Sequence, residues 1–364
     1  MVIKRDFKGA RGRIERVRGT AATLALEAIL FLDMANIRYL VGFTGSEGAL
    51  IVGEKNNYLL VDGRYTSQAR REAHDAEVRE YRDKVEGIAS IIEGEGWKNC
   101  GIESMAVTLR DYIKLRDRLG GRELRCLAEE VAFLRAVKDA AEVDKVKEAI
   151  GISSSAFLSV LAGLRPGVEE RDVALELEYQ IRRGGAENVS FETIVASGEN
   201  SALPHARPGR RRLEAGDLVV IDYGAVCEGY CSDETCTVAV GDVSDRQREV
   251  YGIVKEAHDR AIAAVRAGVA CSEVDRVARD FLTERGLGKH FSHGTGHGVG
   301  LRVHEEPRLS YLSKDRLEPG MILTVEPGVY LPGSWGIRIE DMVIVEEEGC
   351  KVLTTIPKDL RVVG

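Results

Sequence analysis

Along the first third of the chain, short apolar runs alternate with polar stretches of helical period. NIRYLVGF (36–43), GALIVGE (48–54) and NNYLLVDGRY (56–65) read as strands punctuated by Gly, Asn and Asp. TSQARREAHDAEV (66–78) reads as a helix that carries His74 on a polar surface. TAATLALEAILFLDMA (20–35) reads as a buried helix leading into a strand. Glu27 interrupts it, and no apolar run in the chain reaches bilayer-spanning length. Strands mixed with helices predict an α/β domain. No phosphate-cradling glycine loop follows any of these strands.

A long helical segment, AVKDAAEVDKVKEAIGISSSAFLSVLAGL, starts near residue 136, and a domain boundary is expected just before it, giving domains 1–133 and 134–364. PGVEERDVALELEYQIRRGGAE reads as a further helix stopped by glycine. From Asn188 onward the pattern is strand-rich, with one more helical block from about Arg246 to Arg285.

Composition narrows the function classes. With 364 residues, 44% hydrophobic and 30% charged, the chain fits a soluble globular protein of two domains. A net charge of −8 argues against nucleic acid as the main partner. Arg210, Arg211 and Arg212 read as a solvated turn, with attraction of anionic groups as the alternative. The basic start, MVIKRDFKGARGRIERVRG, lacks the apolar stretch of a secretory signal and reads as a mobile, solvated terminus. The seven cysteines are scattered, and Cys227, Cys231 and Cys236 lack zinc-ribbon spacing. A reduced cytoplasmic protein with no membrane partner is the expectation.

Three of the chain's seven histidines fall in HFSHGTGHGVG (290–300), among four glycines. Imidazole supplies a metal ligand or a proton, and glycine lets backbone approach a ligand closely. Two acidic pairs flank this stretch in sequence. In DLVVIDYGAVCEGYCSDETCTVAV, Asp222 and Asp233 lie symmetrically about Cys227–Glu228, so an antiparallel hairpin brings them together. In MILTVEPGVYLPGSWGIRIEDMVIV, Glu326 ends one apolar strand and Glu340 sits inside another, symmetric about Gly333. Carboxylates in apolar strands are costly without compensation, and Arg338 is the main local cation. Four acids and an imidazole form a donor set for two divalent ions, with manganese or cobalt favoured over zinc by the oxygen-rich ligation. Two ions about 3.5–4 Å apart can share a water and lower its pKa toward neutrality.

DYGAVCEGYCSDET, HGTGHGVG, EPGVY and GIRIED, in this order and spacing, resemble the pita-bread metallopeptidases, and among them the Xaa-Pro peptidases, prolidase and aminopeptidase P. NIRYLVGFTGSEGALIV and LLVDGRY resemble the creatinase-type N-terminal domain. LRAVKDAAEVDKVKEA resembles the entry to the catalytic domain, and FETIVASGENSALPHA the segment before the first ligand strand. The resemblance implies a mixed α/β (α+β) fold, with a creatinase-like domain followed by a pita-bread domain. It implies that Asp222, Asp233, His297, Glu326 and Glu340 hold the metal pair and that Glu326 also shuttles protons. By the same resemblance His205 steadies the tetrahedral intermediate, and His293 and His304 face the substrate. Arg308 either binds a substrate carboxylate, as in prolidase-like members, or is a surface arginine after Pro307.

His290 and His258 match no such role and read as surface and structural histidines. Cys236 stands where the family often has arginine; by strand alternation it points away from Asp233 and Thr235. Thr235 shares the ligand face, where it either orients a carboxylate or is an ordinary strand residue. The implied activity is hydrolysis of Xaa-Pro dipeptides or short peptides by a metal-bridged hydroxide, in a homodimer. The rivals are an aminopeptidase acting on longer peptides and a non-catalytic peptide-binding module on the same fold, which predicts missing ligands.

Overall fold

The computed structural model describes residues 9–364. The first eight residues of the expected solvated terminus lie outside these, but the rest of that basic stretch is helical. In α1 (Gly9–Thr23), Ile14 and Val17 are buried, and Arg18 donates to the carbonyl of Gly53. Apolar residues three apart give this stretch an inner face that its charge obscured.

The chain divides into two compact units between Arg135 and Ala136. The first holds β1 (Ala28–Phe31), α2 (Met34–Val41), β2 (Ala49–Gly53), β3 (Asn57–Val61), α3 (Thr66–Glu72) and β4 (Glu77–Glu80). It continues with α4 (Lys84–Gly94), β5 (Asn99–Glu103), α5 (Leu109–Leu119), β6 (Glu123–Leu127) and the single turn α6 (Glu129–Ala132). The sheet runs β4-β3-β2-β1-β5-β6, with β2 antiparallel to both neighbours and the outer pairs parallel.

Two strand and helix readings fail here. NIRYLVGF lies mostly in α2, whose start is capped by the Asp33 carboxylate accepting from Ala35 N–H and whose end is closed by Gly42 at φ 78°. Ile37, Leu40 and Val41 are buried at helical spacing, which so short an apolar run does not distinguish from a strand. TSQARREAHDAEV splits: α3 stops at Glu72, His74 is exposed beyond it, and Val78 belongs to β4.

The second unit opens with α7 (Ala140–Leu161), started by a capping box between Asp139 and Glu142, and α8 (Glu170–Arg183), closed at Gly184. Then come β7 (Asn188–Val189), β8 (Ile194–Ser197), β9 (Leu218–Tyr223), β10 (Ala225–Cys227), β11 (Tyr230–Cys231) and β12 (Glu234–Val240). The helical block expected over 246–285 is two helices, α9 (Asp245–Ala264) and α10 (Cys271–Glu284), parted by a turn with Gly268 at φ 79°. The last strands are β13 (Gly296–Gly298), β14 (Glu305–Leu309), β15 (Ile322–Val325), β16 (Gly328–Leu331), β17 (Trp335–Arg338), β18 (Asp341–Val345), β19 (Cys350–Val352) and β20 (Arg361–Val363).

They form sheets ordered β20-β12-β9-β8 and β14-β13-β15-β18-β19, with β16-β17 as a separate ribbon. One apolar core packs α7 and α8 on β8, β9 and β12; another packs α9 and α10 on β15 and β18. The Arg210–Arg212 stretch is only partly solvated: Arg211 pairs with Asp217 at 2.6 Å and Arg212 with Glu169 at 2.8 Å. Both act within the unit as ties between loops.

The hairpins set the site. In the second, Val325 lies opposite Asp341 and Gly328 opposite Arg338, so the axis runs through Gly333 and Glu326 faces Glu340 across it. Glu340 lies in the gap between β17 and β18 rather than inside a strand. The first hairpin is offset from the expected symmetry. Asp222 pairs with Thr235 and Cys227 with Tyr230, which centres the turn on Glu228 and Gly229, at φ 43° and 78°. Two consecutive left-handed residues make the tight turn that suits strand twist, and they draw the register two positions from a turn centred on Cys227–Glu228. Asp222, Asp233 and Thr235 still share one face because the shift is even.

Candidate active site

The two acidic hairpins and β13 converge on one cleft of about 730 Å³, whose lining includes Asp222, Asp233, His297, Glu326 and Glu340. The same cleft is lined by His205, His293, His304 and Arg308. His297 sits on β13, squeezed between β14 and β15. A Cβ at Gly296 would lie 2.0 Å from the Thr324 carbonyl oxygen, and one at Gly298 would lie 2.4 Å from that of Glu306. The glycines are therefore set by backbone crowding on both sides of the histidine.

Hydrogen bonds fix the imidazoles. His297 Nδ1 faces the Gly298 carbonyl at 3.0 Å and donates to it, leaving the Nε2 lone pair directed into the cleft. That nitrogen lies 3.5 Å from Asp233 Oδ2 and 3.5 Å from Glu326 Oε1. Burial, with His304 beside it, lowers the His297 pKa to about 4, so the ring is neutral near pH 7. A neutral lone pair facing two carboxylate oxygens calls for a cation between them. Ligand atoms of Asp233, His297 and Glu340 all fall within 4.8 Å of one another.

The acids carry too little protein counter-charge. Burial, followed by the neighbouring carboxylates, pushes Asp233 and Glu340 well above the usual carboxyl range. Burial pushes Glu326 up to about 7, with Arg338 opposing and Asp222 reinforcing. Arg338 is almost fully buried. It donates to Asp222 Oδ2 at 2.6 Å, Thr235 Oγ1 at 3.1 Å, Tyr330 Oη at 2.9 Å and the Pro204 carbonyl at 3.1 Å. The other Asp222 oxygen, Oδ1, is buried without a hydrogen-bond donor. An orphaned carboxylate oxygen, an unprotonated imidazole nitrogen and three under-neutralised acids together fit a site for divalent cations.

Thr235 donates to Glu340 Oε2 at 2.7 Å, the carboxylate-orienting alternative for this residue. Cys236 points to the opposite face and packs in the α7–α8 core. Two supports went unread in the sequence. Tyr330 links Arg338 to His293 Nε2 at 2.9 Å. Arg279 on α10 grips Asp275 with two bonds and the His293 carbonyl at 2.7 Å, while Asp275 accepts from Thr295 N–H and Oγ1. The (i, i+4) Asp–Arg spacing on α10 was the available signal. His304 lies edge-on to His297, ring centres 4.4 Å apart. Arg308, opposite His297 in the ladder, has a largely exposed side chain. His290 lies in a 3₁₀ turn, and His258 is buried on α9 beside Asp341. Among the described residues no helix is long and apolar enough to cross a membrane.

This fold and donor set define a metal-dependent peptidase. Residues 144–347 match the model for metallopeptidase family M24, and residues 13–137 match the creatinase/prolidase N-terminal domain. The chain belongs to metallopeptidase family M24. It is 39% identical to the uncharacterized peptidase YqhT of Bacillus subtilis, over 96% of this chain and 99% of that one. Among solved structures it resembles an Xaa-Pro dipeptidase from Bacillus anthracis, with a TM-score of 0.94, 39% identity, and 98% and 100% of the two chains covered. It also resembles an X-Pro aminopeptidase from Thermotoga maritima, with a TM-score of 0.89, 40% identity, and 96% and 99% covered.

Proposed function

We propose that this protein hydrolyses the Xaa-Pro bond of dipeptides or short peptides, with two divalent ions, manganese foremost, held by Asp222, Asp233, His297, Glu326 and Glu340. The observation that carries this reading is the His297 Nε2 lone pair, 3.5 Å from oxygens of both Asp233 and Glu326. Names of relatives at 39% and 40% identity support the substrate class.

Bound there, the ions would supply Lewis acidity and a water acidified toward neutral pH. The chain's residues do the rest. An Xaa-Pro bond has no N–H to donate, so the cleft reads the ring by shape. Glu326, facing the cleft, accepts a proton on its carboxylate and returns it to the departing proline nitrogen. His205 donates toward the oxygen that gains charge at the scissile carbonyl. His293 and His304 wall the pocket. The Tyr330 hydroxyl accepts from Arg338 and donates to His293 Nε2, which leaves His293 Nδ1 to donate to the Gly294 carbonyl at 2.8 Å. Arg308 receives a terminal carboxylate, which favours dipeptides.

A metal-reconstituted assay with Xaa-Pro dipeptides, Xaa-Pro-Yaa tripeptides and matched non-proline peptides tests the reading. Hydrolysis restricted to the proline series supports it, and the dipeptide-to-tripeptide ratio separates dipeptidase from aminopeptidase. Peptide binding without turnover, with no ions retained, favours the non-catalytic module.

A further inference from the structure

Each acidic hairpin carries two adjacent carboxylates, Asp233–Glu234 and Glu340–Asp341. Strand alternation sends neighbours to opposite sides. Asp233 and Glu340 line the cleft, whereas Glu234 and Asp341 reach behind it to one ammonium, that of Lys358. Lys358 Nζ lies 2.5 Å from Glu234 Oε1 and 3.4 Å from Asp341 Oδ1. All three side chains are buried, Lys358 with 4% of its side chain exposed and Glu234 with 1%.

The lysine is itself anchored. It stands between β19 and β20, and its carbonyl accepts from Tyr251 on α9 at 2.9 Å. Ser154 on α7 holds the other Glu234 oxygen at 3.2 Å, and Thr354 donates to the same Asp341 oxygen, Oδ1, that faces Lys358. His258 Nε2 lies 3.2 Å from the second Asp341 oxygen. The rear junction therefore ties both hairpins to α7, α9 and the C-terminal segment. On the cleft side the hairpins are joined by Thr235, Thr237 and Arg338 contacts and by the Asp233 N–H, which lies 3.2 Å from Met342 Sδ.

We propose that Lys358 is a positioning residue for the metal centre: by clamping Glu234 and Asp341 it fixes the separation of Asp233 and Glu340, one residue away on each hairpin. The inference rests on the metal-site reading above. A buried ion pair is a poor net stabiliser compared with apolar packing, so its contribution here is geometry. Neither Glu234 nor Asp341 lines the cleft; a shift at either moves the neighbouring Asp233 or Glu340 through one peptide unit.

The test compares Lys358→Met with Lys138→Met, which removes a comparably buried lysine paired with Glu305 at 3.4 Å elsewhere in the same unit. Mn²⁺ affinity is measured by titration calorimetry on metal-free protein, and Co²⁺ geometry by visible absorption. The expected result is a loss of about tenfold or more in affinity with an altered Co²⁺ spectrum for Lys358→Met, the scale seen when groups supporting metal ligands are removed. Lys138→Met should bind both ions as the unsubstituted protein does, whatever its melting temperature. Should Lys358→Met fail to fold, Glu234→Gln/Lys358→Met removes both charges of the pair and should show the same weakened binding. Unchanged affinity and spectrum in the folded variant overturn this inference alone. Failure of the unsubstituted protein to bind any divalent ion overturns the metal-site reading together with it.

Discussion

The guanidinium of Arg338 holds one oxygen of Asp222 at 2.6 Å and leaves the other buried and bare. One carboxylate is thereby shared between a protein cation and the space that the cations are expected to fill. Arg338 also reaches the Pro204 carbonyl, beside His205, and Tyr330, beside His293. Arg338→Met should therefore destabilise the metal-free protein by about 3 kcal/mol, the scale for removing one partner of a buried pair. Urea unfolding checks this, and Mn²⁺ should restore part of the loss by binding only the folded state. A variant as stable as the parent would show that Arg338 does not neutralise Asp222.

Without ions, stability should depend on pH in a defined way. Glu326 is raised from 4.5 to about 7 when folded, so its contribution is present below its unfolded pKa and is lost as pH rises through 7. The shift corresponds to about 3 kcal/mol in order of magnitude. Asp233 and Glu340 act in the same sense. His293 and His297, lowered to about 4, and His304, also lowered, act oppositely, and their contribution is complete by about pH 7.5, one unit above the unfolded imidazole value. Above about pH 7.5 the raised acids dominate, with the raised His258 acting in the same sense, so chelated protein should melt lower at about pH 9 than at about pH 7.5, and Mn²⁺ should abolish that slope. A flat or rising melting temperature in chelator contradicts the charge balance described.

Glu326→Gln keeps the shape and one oxygen donor but not the base. Turnover of an Xaa-Pro dipeptide should fall by roughly 10²–10⁴. Near-normal turnover with both ions retained, by elemental analysis, would remove Glu326 from proton transfer.

Arg308→Ala should raise KM about tenfold for dipeptides, the cost of one charge-assisted hydrogen bond, and less for tripeptides, whose carboxylate lies further out. Equal effects on both would return Arg308 to the surface.

Much of this site was legible because strand parity and hairpin symmetry are properties of sequence alone. The Glu326–Glu340 pair followed from a turn whose axis, Gly333, is marked by Pro and Gly. The Asp222–Asp233 pair was read two residues out of register, since the turn is set by left-handed Glu228 and Gly229 and not by the midpoint between the acids. The parity survived the error, so the acids and Thr235 still fell on one face. NIRYLVGF is ambiguous because eight apolar-rich residues fit either period; its flanking Asp33 and Gly42 caps carry the helix signal. Lys358 was invisible for another reason. Its partner Glu234 lies 124 residues away and is met only through tertiary packing, although the doubled acids Asp233–Glu234 and Glu340–Asp341 already demanded a cation behind the site.

The most direct test is anomalous diffraction from crystals soaked in Mn²⁺, collected at the manganese edge. Two peaks about 3.5 Å apart, enclosed by Asp222, Asp233, His297, Glu326 and Glu340, are predicted. A cleft without anomalous density, or manganese held by other residues, contradicts the account.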